Sequence, residues 1–395
     1  MLLFQSPWEL LGALMVFSIG FIIAWFVRVP FGLSVARASV LYVWHTVFCV
    51  AYALYVIKYG GDSLNYYISA QRGDLEFSFG TAAVKVITAF FVGVLDFSFI
   101  ATFLLFNIFG TIGLFAYDAS LKTASANKPK WVRLIATVVV FLPSVSFWSA
   151  GLGKDAIAFM AAGLALWSAI KLERRVWLML WAMFFMLVVR PHVAGMMLFA
   201  ITLAILAQKN IARWKRTLLF FLALFLGIGL LPFVLKYAGL EDSSGVEDLQ
   251  TYIEQRQGYN MEGGGGVDIS SMSPPMQLFT YLFRPLPNEA GGFAAFAASL
   301  DNVVLLGVCL LAIVTWVLRR QRGLPGNRVF MFLFAMVAWV TLAITTSNLG
   351  ISVRQKWMFL PFLLFLAISI LGRHSRKQRQ RALGAQDVSS APIFR

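Results

Sequence analysis

Apolar runs separated by short polar connections recur along the whole chain, roughly at 8–27, 38–57, 95–117, 131–147, 156–170, 176–189, 193–207, 217–236, 302–318, 329–346 and 357–372. A helix needs about 20 apolar residues to cross a ~30 Å hydrocarbon core, and most of these runs approach that length. The alternating pattern of a transmembrane barrel is absent. The pattern predicts an all-α, polytopic helical membrane protein with about 11 transmembrane helices. The first run has neither a basic n-region nor a small-x-small cleavage site, so it reads as a retained helix rather than a signal peptide. Residues 1–372 are expected to form one transmembrane domain, with a large hydrophilic loop at about 237–300, and 373–395 to form a basic, disordered tail.

One interruption stands out. Between Val176 and Leu206 two apolar runs of about 14 residues flank Arg190-Pro191-His192. A cation placed there costs about 2.5–3.5 kcal/mol on insertion scales, so it must face protein or water. The bland alternative is a structural break with Arg190 snorkelling outward.

Composition agrees with the pattern: 59% of residues are hydrophobic and 13% charged, and mean hydropathy is +0.77. The net charge of +15 invites a nucleic-acid reading, but its distribution points to a membrane. With the N-terminus outside and the C-terminus cytoplasmic, 23 of the 33 Lys and Arg residues fall on the cytoplasmic side with only Asp118, Glu173 and Asp387. That is the asymmetry of the positive-inside rule, and anionic lipid rather than nucleic acid is its natural partner. Cys49 and Cys309 lie in apolar runs and suggest no disulfide or zinc site.

Orientation does not explain the basic residues of the outer side, among them Lys154, Arg190, Arg284, Arg354 and Lys356. Gly60-Gly61 makes a turn before Asp62, which is either a catalytic base or metal ligand, or a solvated turn acid. Gly80 to Leu95 reads as an interfacial or re-entrant helix, or as an amphipathic helix facing water. Gly151-Leu152-Gly153 precedes Lys154-Asp155 at a helix start, a candidate anion site or a local capping pair; the spacing of a phosphate-binding nucleotide loop is absent. Arg284 and Glu289 flank Pro285 and Pro287, and Arg354 and Lys356 lie in a short connection; each is a substrate group or a loop charge. A short helix is expected at Val246–Gln257, and the acids from Glu241 to Asp248 read as a solvated face. His45 and His374 read as structural or incidental. No metal-ligand spacing is present, although Asp62 and Asp155 offer a divalent ion two carboxylates. No cofactor is expected.

An acid, a histidine and several cations on one face suit an anionic, lipid-linked substrate, because arginine pairs bidentately with phosphate oxygens. Gly61-Asp62-Ser63 with Tyr66, Phe147-Trp148-Ser149 with Lys154-Asp155, Phe283-Arg284-Pro285 with Glu289, and Asn348-Leu349-Gly350 with Arg354-Gln355-Lys356 together give a resemblance over most of the chain. The chain resembles bacterial Wzy-type exopolysaccharide repeat-unit polymerases and GT-C glycosyltransferases. The resemblance implies an enzyme of surface-polysaccharide assembly in the bacterial cytoplasmic (inner) membrane, acting at its outer face on polyprenyl-(pyro)phosphate-linked glycans. It implies Asp62, Arg190 and His192 as catalytic candidates and Lys154, Asp155, Arg284, Glu289, Arg354 and Lys356 as substrate-binding ones. In a GT-C enzyme Asp62 would deprotonate the acceptor; in a polymerase Arg190, Arg284 and Arg354 would hold the pyrophosphate. A flippase for lipid-linked sugars and a scaffold subunit beside other assembly proteins are the competing readings.

Overall fold

The structure is a computed structural model that describes residues 6–73, 76, 78–207, 265–319 and 326–372, with scattered positions between 214 and 258. The span expected at 217–236, the helix at 246–257, the acids at 241–248 and the basic tail lie largely or wholly outside the described residues. Among the described residues the chain is helical without a strand, its one bridge joining Gly266 to Asn348.

The helices are α1 (Pro7–Val27), α2 (Val35–Tyr59), α3 (Asp62–Arg72), α4 (Thr81–Leu95), α5 (Phe99–Ser125), α6 (Lys130–Val140), α7 (Pro143–Ser149), α8 (Lys154–Ile170), α9 (Val176–Val189) and α10 (Pro191–Ala207). After the large loop come α11 (Pro274–Phe283), α12 (Phe293–Arg319), α13 (Gly326–Thr345), α14 (Leu349–Gln355) and α15 (Leu360–Ile370). Six stretches are long and apolar enough to cross a membrane: α1, α2, α5, Lys130–Ser149, Ala295–Leu318 and Arg328–Thr345. A seventh arises if Leu349–Met358 and Leu360–Ile370, bent by 64°, count as one span. Two of the expected eleven fall short of that length, since α8 and α9 have 17 and 14 residues; α10 is described for 17 residues, up to Ala207.

The breaks follow from prolines, which lack the N–H of a continuing helix. Pro143 opens α7 and divides the expected 131–147 run after Val140. Pro191 is the first residue of α10, and Pro361 follows the kink into α15. The expected 302–318 span begins earlier, at Phe293, which places Asp301 and Asn302 inside a helix.

Helices α5 and α8 form the centre. Nearly every α8 residue from Ala156 to Ala169 is buried, and its alanines allow the close backbone approach usual where helices meet in membranes. At the crossing, a Cβ on Gly113 would lie 2.8 Å from the Met160 Cα, and one on Gly163 would lie 2.5 Å from the Gly113 carbonyl oxygen. Gly163→Val should therefore destabilise the bundle by about 1–3 kcal/mol, read as a lower unfolding midpoint in detergent. An unchanged midpoint would mean that this crossing is looser than described.

The two ends of the bundle differ in chemistry. At one end Asp118, near the end of α5, holds Arg37 at 2.7 Å and Lys122 at 3.0 Å, and the Lys128 ammonium caps α15 through the Ser369 and Leu371 carbonyls. At the other end lie the starts of α3, α4, α8 and α14 and the α9–α10 break. Helix α4 begins and ends at this second end: the Gly80 N–H donates to Val188 at the close of α9, while α5 departs from the same end after Asp96. It therefore caps the end rather than crossing.

Candidate active site

The turn after α2 needs Gly60 and Gly61, whose φ angles of 75° and 141° fall in the region that favours glycine. It delivers Asp62 as the first residue of α3, where a carboxylate complements the positive end of the helix dipole. The next residue, Ser63, donates from Oγ to the Leu152 carbonyl at 2.6 Å, tying α3 to the loop that leads into α8.

That loop is recessed. A Cβ on Gly110, inside α5, would overlap the Ser149 carbonyl oxygen and His45 Nε2, and one on Gly151 would collide with the Tyr52 ring. Gly113 and Met160 mark equal depth on α5 and α8. At 1.5 Å per residue they lie about 21 Å and 9 Å from the starts of their helices, so α8 begins about 12 Å below α5. Helix α9, with 14 residues, is about 21 Å long and stops short of a ~30 Å core. Lys154, Asp155 and Arg190 thus sit in a depression relative to the start of α5.

Asp155 organises the depression. Its Oδ1 accepts a hydrogen bond from Arg190 Nη2 at 2.6 Å, and its Oδ2 lies 3.0 Å from Arg354 Nε. Arg354 Nη1 in turn donates to Asp62 Oδ2 at 3.3 Å. The four side chains grade from buried to open: Arg190 is 5% exposed, Asp155 15%, Arg354 20% and Asp62 52%. The arginine guanidinium stands between the two carboxylates, which is where the sequence had offered a shared divalent ion. Beside them Lys154 Nζ donates to Thr81 Oγ1 at 3.0 Å, tying α8 to α4.

Hydrogen-bonding capacity remains unused here. Among the described residues, Arg190 Nε and the Tyr281 hydroxyl are buried without a partner, and Tyr281 lies close enough to Arg190 and Asp155 to feel their charges. Burial, followed by the nearby Asp62 and Asp155, pushes the Tyr66 phenol up, which leaves it a neutral hydrogen-bonding group at the edge of the site.

The remaining candidates are placed differently. Arg284 and Glu289 pair within their own turn, Nε to Oε1 at 2.9 Å, and the other Glu289 oxygen accepts the Leu286 N–H at 2.9 Å. Burial opposes ionisation of Glu289, but the Arg284 hydrogen bond and charge outweigh it and hold the carboxyl below its ordinary value. Lys356 was expected among the substrate groups on the basis of a short polar connection; it is fully buried. Its ammonium donates to Asn302 Oδ1 and to the Leu282 carbonyl, and Asn302 donates to Pro285. It therefore ties the α14–α15 kink to α11 and α12. Close by, Asp301 accepts the Ser144 N–H at 2.6 Å. His192, the second residue of α10, is half-buried next to the break.

Sequence reasoning assigned Tyr281, Asn302 and Asp301 no individual role. They carry no local signal, because their importance comes from the segments that pack against them.

No family profile, no curated protein and no solved structure matches this chain.

Proposed function

We propose that the protein transfers glycosyl groups during surface or exopolysaccharide assembly, joining polyprenyl-(pyro)phosphate-linked units at the outer face of the cytoplasmic membrane as a repeat-unit polymerase does. The observation that carries this reading is the graded chain Arg190–Asp155–Arg354–Asp62, which runs from a buried arginine to a half-exposed carboxylate in a depression. Charge asymmetry along the chain supports an outward orientation of that end.

In this reading Asp155 is a positioning residue. It aims the two guanidiniums, leaving Arg190 Nε and the Lys154 ammonium to meet the phosphates of the donor. As the glycosidic bond to pyrophosphate breaks, negative charge grows on the leaving oxygens, and preorganised cations stabilise it. Asp62, the most exposed member, takes the proton of the attacking hydroxyl. The depression lets a lipid-anchored donor meet a polar acceptor, and holding the two together removes much of the entropic cost. Eleven spans with the N-terminus outside fit this arrangement.

The half-exposed Asp62 at a helix start in the first outer loop also favours a related reading, a GT-C transferase that adds one sugar from a polyprenyl-phosphate donor. Broken helices around charges are a construction that transporters share. A flippase, however, needs a route to the opposite end, and among the described residues the space beneath Asp155 is filled by the α5–α8 crossing with Phe159 and Tyr117 fully buried.

Deleting the gene and sizing the surface glycan separates these readings. Lipid-linked single repeats are expected for a polymerase, and a truncated repeat would indicate the single-sugar transferase. A glycan of unchanged size and composition would overturn both.

A further inference from the structure

The opposite end of the bundle holds a second site with no part in the reading above. A cavity of about 230 Å³ opens between the last turns of α5 and the first turns of α6, lined among others by Asp118, Lys122, Ser125, Arg133 and Thr137. Its charges do not balance. The buried Asp118 is shared by Arg37, at 2.7 Å, and Lys122, at 3.0 Å. With Arg133 on the facing helix the group carries three cations and one carboxylate, a net charge of about +2.

The hydroxyls of the lining are already committed. Ser125 Oγ donates to the Leu121 carbonyl and Thr137 Oγ1 to the Arg133 carbonyl. The protons offered to a ligand therefore come from Lys122, whose side chain is 47% exposed, and from the exposed Arg133. A net-positive cavity whose free donors are an ammonium and a guanidinium selects an anion, and arginine's planar fork matches phosphate oxygens.

The cavity's position narrows the choice. On α6, Trp131, Leu134 and Val138 form an exposed apolar face at i, i+3 and i+7, next to the turn that carries Arg133 and Thr137. Those two residues lie about 5 and 10 Å along α6 from its start, in the first turns of an apolar stretch long enough to cross a membrane, with an indole beside them as interfacial anchors have. We propose that this cavity binds a phosphate ester, the headgroup of an anionic phospholipid in the leaflet at that end or the phosphate of a soluble ester. Basic pockets between helices on that side recognise lipid headgroups by the same chemistry.

The test uses the full-length protein with two probes. In nanodiscs of phosphatidylcholine carrying a minor fraction of phosphatidylglycerol, native mass spectrometry counts retained anionic lipid. In detergent, glycerol 3-phosphate is titrated directly. The expected result is selective retention of phosphatidylglycerol, reduced about fivefold by Lys122→Ala or Arg133→Gln alone and roughly thirtyfold by both together. Lys130→Ala, a neighbouring cation outside the cavity lining, should leave retention unchanged. Binding of glycerol 3-phosphate without lipid selectivity, lost in the same variants, would identify the ligand as the soluble ester. Equal retention of both lipids with no binding of the soluble ester, or binding that survives the double substitution in a protein with wild-type helix content, would overturn the proposal.

Discussion

Asp155→Ala should be the most damaging single substitution at the site. It would leave the guanidiniums of Arg190 and Arg354 without the carboxylate they share, and Arg190 is 5% exposed. Removing one partner of a buried ion pair costs about 3–5 kcal/mol, because the other charge stays behind uncompensated. The unfolding midpoint in detergent should fall sharply, and recovery of folded protein should fall with it. Combining Asp155→Ala with Arg190→Met removes the stranded charge along with its partner. The double variant should therefore be more stable than Asp155→Ala alone, with a coupling of about 0.5–3 kcal/mol. Independent, additive effects of the two substitutions would mean that the pair does not hold α8 to the α9–α10 break.

Asp62→Asn should do the opposite, sparing the fold and removing the chemistry. The Asp62 side chain is 52% exposed and its contact with Arg354 is 3.3 Å, so its loss should change stability by no more than about 1 kcal/mol. As the residue that accepts the acceptor's proton, its loss should lower turnover by roughly 10²–10⁴-fold. The contrast with Asp155 separates a residue that touches the reacting atoms from one that aims the groups around them. A stable Asp62→Asn protein with near-normal turnover would remove Asp62 from the chemistry and leave the site a binding depression.

The residues of the depression were legible because they oppose strong regularities. Arg190 interrupts an apolar run, and Asp62 follows paired glycines. Lys154 and Arg354 are cations on the side where the topology expected from the charge pattern disfavours them. Each anomaly is local, so one sequence suffices to find it.

What joins them is not local. Asp155 and Arg354 are separated by about half of the chain, and their contact depends on how α14 packs beside the start of α8. Lys356 illustrates the same limit in reverse. It stands two residues from Arg354 in the same polar connection, and hydropathy treats the two alike. The half-turn of helix between them sends one toward Asp155 and the other inward, to Asn302 and the Leu282 carbonyl. Segments such as α11 have the composition of ordinary membrane-facing loops, so the buried polar groups they satisfy stay invisible until they are placed. The short runs read at 156–170, 176–189 and 193–207 correspond to α8, α9 and α10, and the charged site lies at the start of α8 and the break between α9 and α10.

The central claim is that the Arg190–Asp155–Arg354–Asp62 site extends lipid-linked glycans. The most direct measurement incubates the purified, reconstituted protein with lipid-linked repeat units extracted from the deletion strain and sizes the products. The wild-type protein should give a ladder of longer chains, with Asp62→Asn giving single repeats only. Single repeats from the wild-type protein, or an equal ladder from Asp62→Asn, would contradict the account.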